Sequence, residues 1–269
     1  MLQKNNRTIL NAWASYDWAN SVYNLTITTA IFPIYYLLVT SSAFGGTEVE
    51  FFGFSIKNSV LYSYSVSFSF LLIAMLSPLL SGVADYSGKK KRFMQFFTYL
   101  GSLSCIALYF FHGENIEYGI ICFILASVGY AGALVFYNAF LPEIATADKF
   151  DEVSARGYSL GYIGSVILLI ISLITIEKAA WFFDVESYAE NLRATTDNLS
   201  LEDSMKNALK YYKGIATKIS FLCVGIWWIL FSQIAFYFLK DTKTNNKVGS
   251  KMFTQGFAEL GKVWSKAKE

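Results

Sequence analysis

The sequence predicts an all-α polytopic membrane protein, a six-transmembrane-helix bundle, and three observations carry that reading. Of its 269 residues, 54% are hydrophobic and only 16% charged, where ordinary soluble domains carry roughly 25% charged residues; the mean hydropathy is +0.39. Six stretches, at about 14–40, 59–84, 93–112, 117–141, 158–178 and 217–239, each supply the ~20 mostly apolar residues that cross a hydrocarbon layer. The basic residues divide unevenly between the connecting segments. With the N-terminus in the cytoplasm, fifteen fall on that side, and six on the other, five of these in or beside one long loop. By the positive-inside rule both termini are cytoplasmic. The expected organisation is a bundle over residues 1–240 and a cytoplasmic tail over 241–269.

The first span opens without a compact apolar core ending in a small-residue cleavage site, so it is expected to be retained. Asp17, Asn20, Asn24 and Thr28 recur at spacings of three and four and so share one helical face, with Ser21 beside them. Polar groups at membrane depth are costly unless they face protein or a water-filled path. The stripe is therefore either a pathway for a small polar solute or polar glue between helices. Asp17, near the cytoplasmic end, is a gate residue, a proton site or a structural partner of Arg156.

The second span carries Pro78, tolerable where neighbouring helices re-satisfy the freed backbone. It runs into SGVADYSGKKKR, Ser81 to Arg92. A phosphate-binding loop needs G-x4-G-K-[ST] after a strand. Here Gly82 and Gly88 are five residues apart, Lys90 follows Lys89, and a membrane helix precedes, so a nucleotide site is excluded. The positive-inside rule explains Lys89 to Arg92 but not Asp85 or Gly88.

The third and fourth spans contribute Cys105, Cys122 and the single histidine, His112; Cys223 lies in the sixth. Three thiols at lipid depth, in no metal-ligand spacing, read as packing residues. Asn138 in the fourth span either faces the pathway or satisfies a neighbour. The fifth span places Gly157, Gly161 and Gly164 on one side, a pattern that lets two helix backbones approach closely. Arg156 just before them is a topology anchor or a gate partner for Asp85, Glu143 or Asp17. In the outer loop, 179–216, Ser200 with Asp203 resembles a capping box and Gly214 a stop, so a short amphipathic helix is expected between them. Trp13, Trp18, Tyr35, Tyr36, Trp181, Trp227 and Trp228 read as an interfacial aromatic belt.

SGVADYSGKKKR resembles the signature between the second and third helices of major facilitator superfamily transporters, G-x-x-x-D-[RK]-x-G-[RK]-[RK]. Asp85, Gly88, Lys89 and Lys90 match; Ser81 and Tyr86 stand where a glycine and a cation are usual. YDWANSVYNLTITTAIFPIYY, FYNAFLPEIA and SARGYSLGYIGS narrow the resemblance to the vacuole-effluxer-like branch, which includes autophagy-related amino-acid effluxers and bacterial permeases. The resemblance implies that the six helices are one half of a major facilitator fold, the N-terminal half. It also implies alternating access about a central site, with the Asp85 region latching the cytoplasmic side. The basic tail, with Phe253, Phe257 and Leu260 on an amphipathic patch, resembles the linker that would lead to a second half. That half is a missing C-terminal portion or a homodimer partner.

An enzyme is not expected. Tyr16-Asp17 lacks the second Gly-x-Gly-Asp of an intramembrane aspartyl protease, His112 has no companion ligand, and no Gly-x-Ser-x-Gly elbow occurs. The expected function is secondary transport of small polar metabolites, amino acids among them, across a bacterial inner membrane. No metal, cofactor or nucleic-acid partner is expected; the coupling ion is open, a proton being one candidate. The alternative is a non-transporting six-helix scaffold or partner subunit.

Overall fold

The computed structural model describes residues 4–196 and 199–241, the side chains of 79, 81 and 83–87 excepted. Six helices among these residues are long and apolar enough to cross a membrane. The chain is an integral membrane protein. The first span starts at Arg7, seven residues earlier than the apolar run suggests, because Asn6 caps it: its side chain accepts hydrogen bonds from the amides of Thr8 and Ile9 at 3.0 and 3.3 Å. The span is one helix in three parts: α1 (Arg7–Val22), a π-helical stretch over Tyr23–Ile31, and α2 (Phe32–Phe44). Pro33 explains the middle part. It has no amide hydrogen, and its ring would crowd the carbonyl four residues back, so the turn before it widens. Thr29 joins in by donating its hydroxyl to the carbonyl of Asn24, five residues back, at 2.9 Å. Gly45, at φ +69°, ends α2.

A two-stranded antiparallel hairpin follows, β1 (Glu48–Phe51) and β2 (Phe54–Lys57), paired with Glu48 opposite Lys57 and Phe51 opposite Phe54. Its two turn residues, Phe52 and Gly53, both have positive φ, as a two-residue hairpin requires. Helix α3 (Asn58–Ser87) contains Pro78, and Gly88, at φ +60°, turns the chain into α4 (Lys90–Ala107). Then come α5 (Ile116–Ile144) and α6 (Phe150–Glu177).

The predicted outer loop is mostly helical: α7 (Ala179–Phe182), α8 (Val185–Thr195) and the start of α9 (Leu201–Phe238). Ser200 is the N-cap of α9, its hydroxyl accepting from the Asp203 amide at 3.0 Å. Gly214 is not a stop: one helix of 38 residues runs through it. A mid-helix glycine costs about 1 kcal/mol relative to alanine, and packing of α8 on the first turns of α9 offsets that. Val185 and Ala189 bury themselves against Ala208, and Tyr188 stacks on Tyr211 at 4.6 Å.

The core has two aromatic layers. One gathers Phe32, Tyr36, Phe111, Phe123 and Phe221 near the hairpin end; the other gathers Trp13, Tyr16, Phe136, Tyr137 and Phe236 near the terminal end. The belt reading of the aromatics is corrected here. Trp13, Tyr35, Tyr36 and Trp228 are buried in these layers, and only Trp181 of that set is mostly exposed, at 73%. Between apolar helices in lipid, close packing and dispersion do the work, and large flat rings supply contact area.

Candidate substrate pathway and gate

The wide turn divides the predicted polar stripe. Asp17 sits where α1, α5 and α6 meet, its carboxylate accepting a hydrogen bond from the Tyr137 hydroxyl at 2.9 Å. Trp13 holds Tyr137 in place, stacking on it at 4.2 Å and donating its indole N–H to the Tyr137 carbonyl at 2.9 Å. The glycines of α6 let that helix lie against α1. A Cβ on Gly157 would stand 2.6 Å from an Asp17 carboxylate oxygen, one on Gly161 2.5 Å from the Ser21 hydroxyl, and one on Gly164 3.0 Å from the Trp18 ring. Asn20 is fully buried, and its amide nitrogen has no hydrogen-bond partner among the described residues.

Asn24 and Thr28 lie one and two turns further on, within the π-helical stretch. They line a small cavity of about 30 Å³ together with Tyr23, Ser69, Ser127 and Tyr130, room for about one water molecule. The Tyr23 and Ser127 hydroxyls are hydrogen-bonded at 2.7 Å. The buried Thr28 hydroxyl has no partner among the described residues, although the Thr28 carbonyl accepts from Tyr62 at 2.9 Å. Asn24 is exposed. Asn138 is also exposed. It lies eleven residues after Ser127, which returns it to nearly the same face of α5 about 16 Å along the helix. The structure thus brings Asn24 and Thr28 together, aligns Asn138 below them, and sets Asp17 and Asn20 apart within the helix packing.

At the terminal end, Lys90 is buried and donates to Glu143 at 2.9 Å and to the Ala139 carbonyl at 3.2 Å. This joins the start of α4 to the end of α5. Lys89 occupies the N-cap position of α4 without a side-chain cap of its own. The cap comes from the segment just after the last span: the Asp241 carboxylate accepts from the Lys91 amide at 2.7 Å. Burial raises the Asp241 carboxyl above its usual range; the Lys91 amide and the cations of Arg92, Lys91 and Lys89 pull it the other way. Arg156 pairs neither with Glu143 nor with Asp17. It donates to Asn11 at 2.7 Å and lies 3.6 Å from Glu152, one turn earlier on α6; of its expected partners, Glu143 is bonded by Lys90 and Asp17 by Tyr137. Asp85 is in α3, but its side chain lies outside those described, as does the tail patch of Phe253, Phe257 and Leu260. The Asp241 cap escaped sequence reasoning. Its one signal is a carboxylate directly after the last span, in an otherwise basic segment.

The chain matches a family model described as vacuole effluxer Atg22 like, over residues 5–152 and 146–269. It is 34% identical over 223 residues to an uncharacterized MFS-type transporter, YxiO, of Bacillus subtilis, covering 82% of this chain and 44% of that protein. It is also similar to autophagy-related protein 22 of Neurospora crassa (27% over 124 residues; 45% of this chain, 17% of that one) and of Pyricularia oryzae (31% over 115 residues; 38% and 17%). This chain therefore spans less than half the length of these curated relatives. No solved structure matches it.

Proposed function

The chain belongs to the vacuole effluxer Atg22-like family of membrane transporters, and from that premise we propose that it is the N-terminal half of a secondary transporter of small polar metabolites, amino acids among them, working by alternating access. The observation that carries the reading is the Asn24–Thr28 cavity: an exposed amide beside hydroxyls, set within a widened stretch of the first apolar span. Such a group of neutral donors and acceptors suits a small polar solute that must bind and leave. Asn138 extends the path towards the terminal end. There, the Lys90–Glu143 pair and the Asp241 cap belong to the latch, together with Asp85 and Gly88. Asp17, held only by a tyrosine among the described residues, is the candidate site for coupling to a proton.

Both termini lie in the cytoplasm on this reading, supported by the distribution of basic residues, and the membrane is a bacterial inner membrane, supported by the Bacillus relative. The test is flux of radiolabelled amino acids into proteoliposomes holding the intact native gene product. Asn24→Ala should lower flux about tenfold, with protein abundance unchanged, which corresponds to about 1.4 kcal/mol of lost stabilisation. Unchanged flux in that variant removes Asn24 from the pathway. No flux of any metabolite by the native protein favours a scaffold.

A further inference from the structure

The hairpin of β1 and β2 is held at three points on the end of the bundle away from the termini. At its base, the Asn58 amide donates to the Thr47 carbonyl at 2.8 Å, and the Asn58 side chain donates to the Thr40 and Ser41 hydroxyls of α2 at 3.1 and 3.0 Å. In its middle, Val49 is buried in the aromatic layer of that end, with Ile56 packed beside it. At its tip, the Phe52 amide donates to the carboxylate of Glu117, in the first turn of α5, at 3.1 Å. An element tied down at base, middle and tip displays its side chains in fixed directions.

Its two faces differ in chemistry. Residues paired across an antiparallel ladder share a face, and neighbours along a strand alternate. Glu48 with Lys57, and Glu50 with Ser55, therefore make one face, and all four are exposed. Val49 with Ile56, and Phe51 with Phe54, make the other. This second face is turned towards the bundle, because Val49, Phe51 and Ile56 pack on its core. Its last member overhangs: Phe54 is 75% exposed although it lies on the inward face.

The turn adds a second aromatic ring, against the preference of the backbone. Phe52, at φ +47°, occupies the left-handed region, where asparagine, aspartate or glycine is usual in such a hairpin. Its ring is exposed and meets Phe51 edge-on at 4.7 Å. Packing within the bundle asks for neither Phe52 nor Phe54, but the surface beside the tip does. Glu117, which holds the tip, opens α5, and Tyr118, Ile121 and Leu125 follow it on one exposed face of that span. The hairpin thus has an apolar overhang on its membrane side, charges on its far side, and an exposed apolar face of a span next to its tip. That is the arrangement of an element lying on a lipid surface. A protein seated on top of the hairpin would meet Glu48, Glu50 and Lys57 instead.

We propose that the hairpin is a membrane-surface anchor: Phe54 and Phe52 insert among the phospholipids of the leaflet at that end and set the depth at which α2 ends and α3 begins. The insertion is apolar, so it does not depend on lipid charge. The probe is the photoreactive residue p-benzoyl-L-phenylalanine, incorporated in place of Phe54 in the intact native gene product and irradiated in phosphatidylcholine nanodiscs. Intact mass should show a phospholipid adduct, mapped to the hairpin, in a yield comparable to that of the same probe at Leu230, an exposed position on α9. At Glu50, on the opposite face, the yield should be lower by about tenfold. Position 52 should behave as position 54, which gives a second reading if one of them does not accept the probe. Phosphatidylglycerol added to the nanodiscs should leave these yields within about twofold. The proposal is overturned by an adduct yield at position 54 no greater than at position 50, or by a yield that requires phosphatidylglycerol. It is also overturned by a cross-link from position 54 to a peptide of a second half or a second copy, which would show that protein covers the tip.

Discussion

A Cβ added to Gly161 would stand 2.5 Å from the Ser21 hydroxyl and 3.0 Å from the backbone carbonyl oxygen of Asp17. A hydroxyl can rotate away, but backbone within a membrane helix yields little. Gly161→Val should therefore force α6 off α1 and destabilise the protein by about 1–3 kcal/mol, the usual range for overpacking; a lowered thermal midpoint in detergent, read by tryptophan fluorescence, measures it. A midpoint equal to the native one would mean that the two helices are not held at this separation. This close approach was legible in the sequence, because small residues at three- and four-residue spacing in an apolar run have few other uses. The partner was not. Nothing in the order of residues says that Gly157 meets Asp17, or that Tyr137, 120 residues from Asp17, donates to it. The aromatic residues misled for a related reason: interfacial and core rings are equally apolar, and only packing tells Trp228 from Trp181.

At the scale of elements, the six spans could be read from hydropathy, yet their ends could not. Helix α9 continues sixteen residues beyond the apolar run, because α8 buries a face of it that composition alone makes polar. Pro33 was visible, but not its consequence, a widened stretch that separates Asn24 and Thr28 from Asp17 and Asn20. The start of α4 shows how far apart two parts of one element can lie in sequence, since its cap is Asp241. That carboxyl has its folded pKa raised by burial. The stability linked to its proton is full below the unfolded value of about 4, and is lost as pH rises through the higher folded value. Asp241→Asn keeps an oxygen for the Lys91 amide but cannot titrate. Across pH 4 to 8, the native protein's unfolding midpoint should therefore fall relative to that of Asp241→Asn. A difference that stays flat with pH would show that Asp241 is not held in this cap.

The whole molecule is unevenly covered. In the most apolar windows of the six spans, 44–56% of residues are buried in four helices, but only 17% in α3 and 28% in α6. The exposed faces are ordered. Tyr64, Phe68, Leu71 and Met75 on α3, and Ile163, Ile167, Ile170 and Ile174 on α6, each recur at four, three and four residues, the spacing of a helix seam. Lipid would satisfy such stripes as readily as protein, so exposure alone does not choose between them. Charge and hydropathy cannot choose either, which is why the second half was expected from resemblance and not from pattern. In the native protein, a second six-helix half covering α3 and α6 would shield these stripes, while α9 would keep its lipid contact at Leu230, itself 62% exposed. Nitroxide labels at Phe68 and Ile170, compared with one at Leu230, read this directly through collision with dissolved oxygen, which concentrates in lipid. Low oxygen accessibility at the first two and high at the third is the expected result. Equal accessibility at all three would place α3 and α6 in lipid, and a bundle that works alone would then need its solute path between its own helices, through the small cavity at Asn24 and Thr28.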